Sequence, residues 1–204
     1  EGGERSNSIP SGATALVLSD KELKSECENL SVKKLGMGDE ILENGEKILA
    51  LINSFSQGVR AYNCELGIPQ DSENLSLAKI KDDGTLEVEF FARSMSKDGL
   101  NRMEFEISEL AKAVGFHVIS KDRNPAWKPV NDKFANDILE ELKIYKPEAR
   151  ITAVHAGLER GVLLEKKAGL SACSIGPNIY SPHSTREHCE VASALFIEKV
   201  VRGI

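Results

Sequence analysis

Two short blocks near the end of the chain each carry a histidine in a loop rich in glycine or proline. His155 follows the apolar run at residues 151–154, and His183 follows Pro182. In an open α/β sheet, ligands bind just beyond the carboxyl ends of the strands, where both histidines are predicted to lie. A neutral imidazole is a common metal ligand, so His183 is a candidate ligand. The alternative for His183 is a loop histidine hydrogen-bonded to the backbone.

Two charged residues are further candidates for a functional site. Glu159 lies four residues after His155, a spacing that on a helix would place both side chains on one face and could hold a metal ion. Gly157 lies between them and weakens the prediction of a helix there. Arg93 ends a predicted strand and could hold a carboxylate through its planar guanidinium. The alternative for Arg93 is a surface ion pair.

The elements of the first 120 residues follow from their hydrophobic patterns. Residues 86–90 alternate between apolar and polar, which predicts a half-buried strand. Asp82-Asp83-Gly84 predicts a turn that joins this strand to one containing Leu75, Leu77 and Ile80. Further predictions are strands at 13–18 and 116–120, and helices at 20–29, from Glu46 until a break at 67–71, and over 100–114 with Gly115 as its left-handed end. This order indicates a split βαβ (ferredoxin-like) sandwich, with the helix from Glu46 as an insertion.

The character of the sequence changes after residue 120. Residues 121–129 contain two prolines and many polar groups, which predicts a linker. Helices are then predicted from Phe134 to Tyr145 and over 158–167. A final helix is predicted to run to about Val201, with Ser184 or Ser193 as its cap. Strands are predicted at 151–154 and 170–175. Strands that alternate with helices indicate a parallel sheet, but two short strands make a poor sheet alone. We therefore interpret the last 75 or so residues as part of a larger α/β domain.

Composition narrows the function classes. The net charge of −6 argues against a nucleic-acid or anionic-membrane partner, which would need an excess of Lys and Arg. No stretch approaches the roughly 20 apolar residues that a membrane span requires. The four cysteines are scattered without a CxxC pair, which favours reduced thiols in a cytosolic protein. The opening residues contain neither an initiating Met nor a leader, so we expect the chain to be the later part of a longer protein.

The two histidine blocks together resemble the C-terminal signature of the aminoacyl-histidine dipeptidases, in the M20 family of zinc-dependent metallopeptidases. The blocks read His-Ala-Gly-Leu-Glu-Arg-Gly at 155–161 and Ser-Ile-Gly-Pro-Asn-Ile-Tyr-Ser-Pro-His-Ser at 174–184. Weaker similarities are Phe-Phe-Ala-Arg-Ser at 90–94, Ala-Trp-Lys-Pro at 126–129 and the glycines, Asn7 and Ile-Pro within 2–10. The resemblance covers nearly the whole chain, with residues 30–45 outside it.

The resemblance implies an α/β fold of two parts. Residues 1–122 correspond to a split βαβ lid, which need not be complete at its N-terminal side, and residues 131–204 to the C-terminal segment of the catalytic domain. Residues 123–130 form the linker between them. His183 matches the histidine that supplies the last zinc ligand. Arg93, Asn7, Glu159 and His155 match substrate-binding positions. The implied reaction is hydrolysis of a dipeptide by water that a pair of zinc ions activates, with a glutamate base.

Departures from the family pattern are as informative as the matches. In the family, the other metal ligands and the catalytic base precede the lid, and those motifs are not found in this sequence. A catalytic zinc site needs at least three protein ligands. We therefore expect the isolated chain to be inactive, to bind zinc unstably and to need a missing N-terminal catalytic segment. Arg160 also replaces a cysteine common in the family, which adds positive charge near the expected pocket.

The resemblance implies a cytoplasmic enzyme that dimerises through its lid and acts on short peptides of the Xaa-His type. Two alternatives stay open. One is a non-catalytic dimerisation or interaction module, and the other is a related metallo-aminoacylase or carboxypeptidase. The His-Ala-Gly-Leu-Glu form of the first block favours the dipeptidases over the second alternative.

Overall fold

A computed structural model of the chain describes all residues except Met37, Asp39, Glu40, Trp127, Leu158 and His183. The described residues form five helices and five strands. In chain order these are α1 (Gly45–Ser54), β1 (Gly58–Asn63), β2 (Ile68–Ile80), β3 (Leu86–Ser94), α2 (Lys97–Ala113), α3 (Lys133–Tyr145), α4 (Glu159–Lys166), β4 (Ile179–Tyr180), β5 (His188–Cys189) and α5 (Val191–Gly203). This mixture of helices and sheet confirms the predicted α/β class.

The main sheet has three strands in the order β1-β2-β3. Only four residues join β1 to β2 and five join β2 to β3, and connections this short require antiparallel neighbours. The second connection contains the predicted turn, in which Lys81 N–H donates to the Thr85 carbonyl at 2.8 Å and Gly84 N–H donates back to the Lys81 carbonyl at 2.9 Å. The predicted hairpin of β2 and β3 is therefore present. The helix predicted from Glu46 to the break at 67–71 is wrong in its second half, because α1 ends at Ser54 and residues 58–63 form β1.

The first residues of the chain lie against β2. Gly2 and Ala78 exchange both backbone hydrogen bonds, at 2.9 and 2.8 Å. Gly3 has a φ of +86°, and a Cβ placed on it would lie 2.0 Å from the Ser76 carbonyl oxygen. Glycine at position 3 therefore permits a backbone approach that any side chain would prevent.

Helix α2 follows the predicted apolar periodicity and ends as predicted. Gly115 has a φ of +90°. Its N–H donates to the Lys112 carbonyl at 3.0 Å, and Phe116 N–H donates to the Ala111 carbonyl at 2.9 Å. These two bonds are the Schellman pattern, which satisfies carbonyls that the end of a helix leaves without partners. Met103, on the inner face of α2, is 1% exposed.

Several predicted elements are wrong. Residues 13–18 and 116–120 are not strands, and residues 20–29 are not a helix. A strand is stabilised by its hydrogen-bonded neighbour, and neither strand segment forms a ladder with another segment among the described residues. In the first of these segments, Leu16 and Leu18 are 82% and 66% exposed.

The second half of the chain is built on α3 and α5, which pack against each other. Asp132 caps α3, where its carboxylate accepts a hydrogen bond from Ala135 N–H at 2.9 Å. Ile138 on α3 and Val200 on α5 are buried. Residues 151–154 and 170–175 belong to no strand in the described part, so the two predicted strands are wrong. The sheet of this half is instead the short antiparallel pair of β4 and β5.

Two compact units account for the described chain. One comprises residues 1–60, 71–92 and 100–120, and the other comprises residues 61–70, 93–99 and 121–204. Residues 121–132 contain no helix or strand, with Trp127 outside the description. The predicted boundaries at 122 and 131 stay predictions. Of the helices in the described ranges, none has both the length and the apolar character needed to cross a membrane.

Candidate functional site

Arg93 is the second-last residue of β3 and is half-buried. Its burial lowers the pKa of the guanidinium, because a charged group loses hydration when it is buried. The turn after it is ordered by serines: Ser94 Oγ accepts from Ser96 N–H at 2.9 Å, and Ser96 Oγ accepts from Gly99 N–H at 3.0 Å. The start of α2 thus holds the chain just beyond Arg93.

Asn7 lies in an exposed turn within the N-terminal segment. Ser8 closes that turn, because its N–H and its hydroxyl both donate to the Arg5 carbonyl, at 3.3 and 3.2 Å. The turn is attached to β2 through Asn74, whose amide nitrogen donates to the Ser8 carbonyl at 3.0 Å. Asn7 belongs to the first compact unit, whereas the other three candidate substrate residues, Arg93, His155 and Glu159, belong to the second.

The two candidate residues of the first histidine block, His155 and Glu159, lie in different local structures. Helix α4 begins at Glu159, which is exposed, and His155 lies in a bend before it and is half-buried. The two side chains therefore do not share a helical face, as the presence of Gly157 between them indicated. The start of α4 is predicted at Leu158, which lies outside the described residues.

Arg160 connects α4 to the segment that precedes the second histidine block. Its guanidinium Nη1 donates to the Ala172 carbonyl at 3.5 Å. Gly161, the next residue, is buried. Arg160, which stands where the dipeptidase family commonly has a cysteine, thus contacts the backbone of its own unit. Whether its charge changes substrate preference stays a prediction.

His183, the predicted metal ligand, lies outside the described residues. The strands on either side of it are described, with Ile179 paired to Cys189 and Tyr180 to His188. The Tyr180 and His188 rings stack with centroids 5.2 Å apart and planes 19° apart. His188 Nδ1 lies 2.8 Å from the Arg186 carbonyl oxygen. Backbone pairing and a ring stack therefore join residues 179–180 to residues 188–189.

The base of this hairpin is attached to the start of α5. Ser193 is 8% exposed, and its Oγ accepts from Asn178 N–H at 2.9 Å and donates to the Glu190 carbonyl at 2.7 Å. Asn178 also donates its side-chain amide to the Glu190 carboxylate at 2.7 Å. Glu190 occupies the N-cap position of α5. The prediction that Ser184 or Ser193 caps this helix is wrong, because Ser193 lies inside the helix and holds the hairpin instead.

The described residues do not fit a zinc site by themselves. Among them, no group of three or more His, Cys, Asp or Glu side chains converges in a way that could hold a metal ion. A zinc site needs at least three protein ligands.

A buried charged cluster on β2 was missed at the level of sequence. Asp71 is 1% exposed and Glu73 is 2% exposed. Arg102 on α2 pairs with Asp71 at 2.9 Å, and Arg60 on β1 pairs with Glu73. Two acidic residues two positions apart in a strand are on one face, which is the signal that could have revealed the cluster.

Comparisons with known proteins point to dipeptidases. The chain is 25% identical over 156 residues to the cytosol non-specific dipeptidase of Escherichia coli (strain K12), a match that covers 75% of this chain and 32% of that protein. Its fold is similar to the crystal structure of aminoacylhistidine dipeptidase from Vibrio alginolyticus, with a TM-score of 0.59 and 23% identity, over 77% of this chain and 32% of the other. No family model matches the chain.

These similarities confirm the resemblance to the dipeptidases of the M20 family that the two histidine blocks predicted. The fold match confirms an α/β structure of the same kind. The matched region spans about a third of the length of each relative, in agreement with the predicted correspondence to one portion of such a protein.

Proposed function

We propose that this chain is the lid and C-terminal catalytic segment of a zinc-dependent dipeptidase that hydrolyses short peptides of the Xaa-His type. The observation that carries the proposal is the agreement of two similarities, one in sequence and one in fold. Each extends over about three quarters of the chain and leads to a protein named as a dipeptidase. The Xaa-His preference rests on the His-Ala-Gly-Leu-Glu block and on the name of the structural relative.

His183 is the residue that we assign to the metal. The hairpin of β4 and β5 supports this role, because its ring stack and the Ser193 hydrogen bonds fix the chain on both sides of the loop. Zinc bound in the complete enzyme would supply Lewis-acid activation of water and of the peptide carbonyl. The remaining ligands and the glutamate base come from a preceding catalytic segment.

Arg93 is the residue that we assign to the substrate carboxylate. A guanidinium that is already partly dehydrated gives up less hydration when it binds an anion, and its planar donors match a carboxylate. Asn7, His155 and Glu159 are assigned to the remaining polar groups of the peptide. Asn7 lies in a turn and His155 in a bend, and binding residues often occur in such irregular structure, while Glu159 is the first residue of α4.

The proposal has three consequences for the isolated chain. It is catalytically silent, it binds zinc weakly and it dimerises through residues 1–122. We place the enzyme in the cytosol, as the name of the sequence relative places that protein. A strictly monomeric mass for the 204-residue chain at high concentration would contradict the dimer.

The test of the site is hydrolysis of Ala-His by the longer protein with His183→Ala and, separately, with His117→Ala. His117 is exposed and lies in the first unit, so it is a matched control for loss of one imidazole. We expect His183→Ala to reduce both bound zinc and activity, and His117→Ala to leave both unchanged. Full zinc content and activity in His183→Ala would contradict the assignment. Absence of activity in the unsubstituted longer protein would favour an interaction module.

A further inference from the structure

Glu73 occupies an unusual position for a carboxylate. It lies in the middle of β2 and its side chain is 1% exposed. One carboxylate oxygen, Oε1, accepts a hydrogen bond from Arg60. The other, Oε2, is buried and has no hydrogen-bond partner among the described residues. A buried carboxylate oxygen that has lost its water without gaining a donor is costly in its charged form.

The positive partner of Glu73 is shared with a second carboxylate. Arg60 Nη2 donates to Glu106 Oε2 on α2 at 3.2 Å while Arg60 Nη1 contacts Glu73. Glu106 is 43% exposed at its side chain, so it remains hydrated whether or not Arg60 pairs with it. A proton on Glu73 would therefore leave Arg60 with a charged partner and with a neutral oxygen that still accepts its hydrogen bond.

The other charged groups around Glu73 come from three elements. Asp71 is two residues away on β2 and pairs with Arg102 of α2. Strand β3, the other neighbour of β2, carries Glu87, Glu89 and Arg93. Burial raises the pKa of the Glu73 carboxyl above its ordinary value of 4.5, and Glu106 raises it further, against the opposing effects of Arg60 and Arg102.

We propose that Glu73 is a proton-dependent clamp, in which uptake of a proton by its buried carboxyl strengthens the packing of α2 against β1 and β2. The folded state holds this proton more tightly than the unfolded chain does. The stabilisation is therefore complete below the unfolded value of 4.5 and is lost as the pH rises through the higher folded value. The device concerns residues 58–113 and is independent of the proposed function.

The experiment compares thermal unfolding of the 204-residue chain between pH 5 and pH 8 with that of Glu73→Gln and Glu87→Gln. Glutamine keeps the acceptor for Arg60 but cannot titrate. Glu87 is a matched control, because it pairs with Lys81 at 3.1 Å and its side chain is 36% exposed. We expect the midpoint of the unsubstituted chain and of Glu87→Gln to fall as the pH rises, by about 3–5 °C for each unit by which folding raises the pKa. The Glu73→Gln midpoint should change less.

A second measurement decides the matter if Glu73→Gln does not fold. The side-chain carboxyl carbon of Glu73 in the unsubstituted chain can be followed by NMR as the pH is changed. A midpoint above 4.5 supports the clamp, and a midpoint at or below 4.5 overturns it. Equal pH dependence of unfolding in the unsubstituted chain and Glu73→Gln would overturn it as well.

Discussion

Residues 58–115 and residues 151–190 are held in shape by different kinds of interaction. The first range contains three strands of up to 13 residues and a 17-residue helix. The second contains an eight-residue helix and two strands of two residues each. In the first, backbone ladders and apolar burial determine the structure. In the second, isolated hydrogen bonds hold the loops. Arg160 donates to the Ala172 carbonyl, and Asn178 donates through its N–H to Ser193 Oγ and through its side-chain amide to the Glu190 carboxylate.

This difference matters for function, because the proposed metal ligand lies in the second range. A loop held by a few side chains can be disturbed by a single substitution without unfolding the neighbouring helices. The hairpin of β2 and β3 should instead unfold together with α2 in a single cooperative transition.

Met103→Ala is expected to have the largest effect on stability. The side chain is 1% exposed on α2, so its removal leaves a cavity and should lower the free energy of unfolding by about 2–5 kcal/mol. Urea unfolding followed by circular dichroism measures the change. Phe105, on the same helix, is 66% exposed, and Phe105→Ala should change stability by less than about 0.5 kcal/mol. Equal losses for both would contradict a core on the inner face of α2.

Ser193→Ala tests the loop range. It removes the acceptor of Asn178 N–H and the donor to the Glu190 carbonyl, which should cost about 2 kcal/mol. NMR shifts of residues 178–190 should change more than those of α3. Ser174→Ala is the control, because Ser174 is exposed, and it should cost less than about 0.5 kcal/mol. Unchanged shifts at 178–190 in Ser193→Ala would show that another interaction holds the hairpin.

Gly115→Ala and Gly176→Ala compare a glycine from each range. Gly115 needs a φ of +90°, so alanine there should cost about 1 kcal/mol. Gly176 has no such φ, and a Cβ on it would meet nothing within 4 Å. Alanine there should be neutral or stabilising by about 0.5 kcal/mol, through the unfolded chain. Chemical unfolding of both variants measures this, and a larger loss at position 176 than at 115 would reverse the expectation.

Asp132→Asn is expected to have the smallest effect and to show it only in acid. The Ala135 N–H, with a further hydrogen bond from Ser171, lowers the pKa of Asp132 below 3.8. The resulting stabilisation is present above the unfolded value and is lost as the pH falls through the lower folded value. Asparagine also caps helices but does not titrate there. Unfolding midpoints between pH 3 and pH 5 should depend less on pH in Asp132→Asn, and parallel curves would contradict the cap.

The sequence predicted the locally encoded elements well. The apolar spacing of residues 134–145 predicted α3 and its end before Pro147, and the Asp82-Asp83-Gly84 turn predicted the hairpin. Gly115 was identified because only a left-handed residue suits that helix end. In each case the pattern and the interaction that satisfies it lie within a few residues of each other.

The failures share a physical cause. An apolar run such as residues 151–154 becomes a strand only when a neighbour pairs with it, and local sequence does not specify that neighbour. The cap of α5 was misassigned because Ser193 has partners 15 and three residues away that compete with capping. The candidate site residues came from motifs. Their assembly depends on residues far apart in the chain, which periodicity does not address.

The most direct test of the account is hydrolysis of Ala-His by this chain alone and by the same chain joined to the catalytic segment proposed to precede it. We predict activity and bound zinc only when the two are joined, with both lost in His183→Ala. Hydrolysis by the 204-residue chain alone, abolished by His183→Ala, would contradict the claim that it holds only part of the site. Absence of activity and zinc in both forms would contradict the dipeptidase assignment itself.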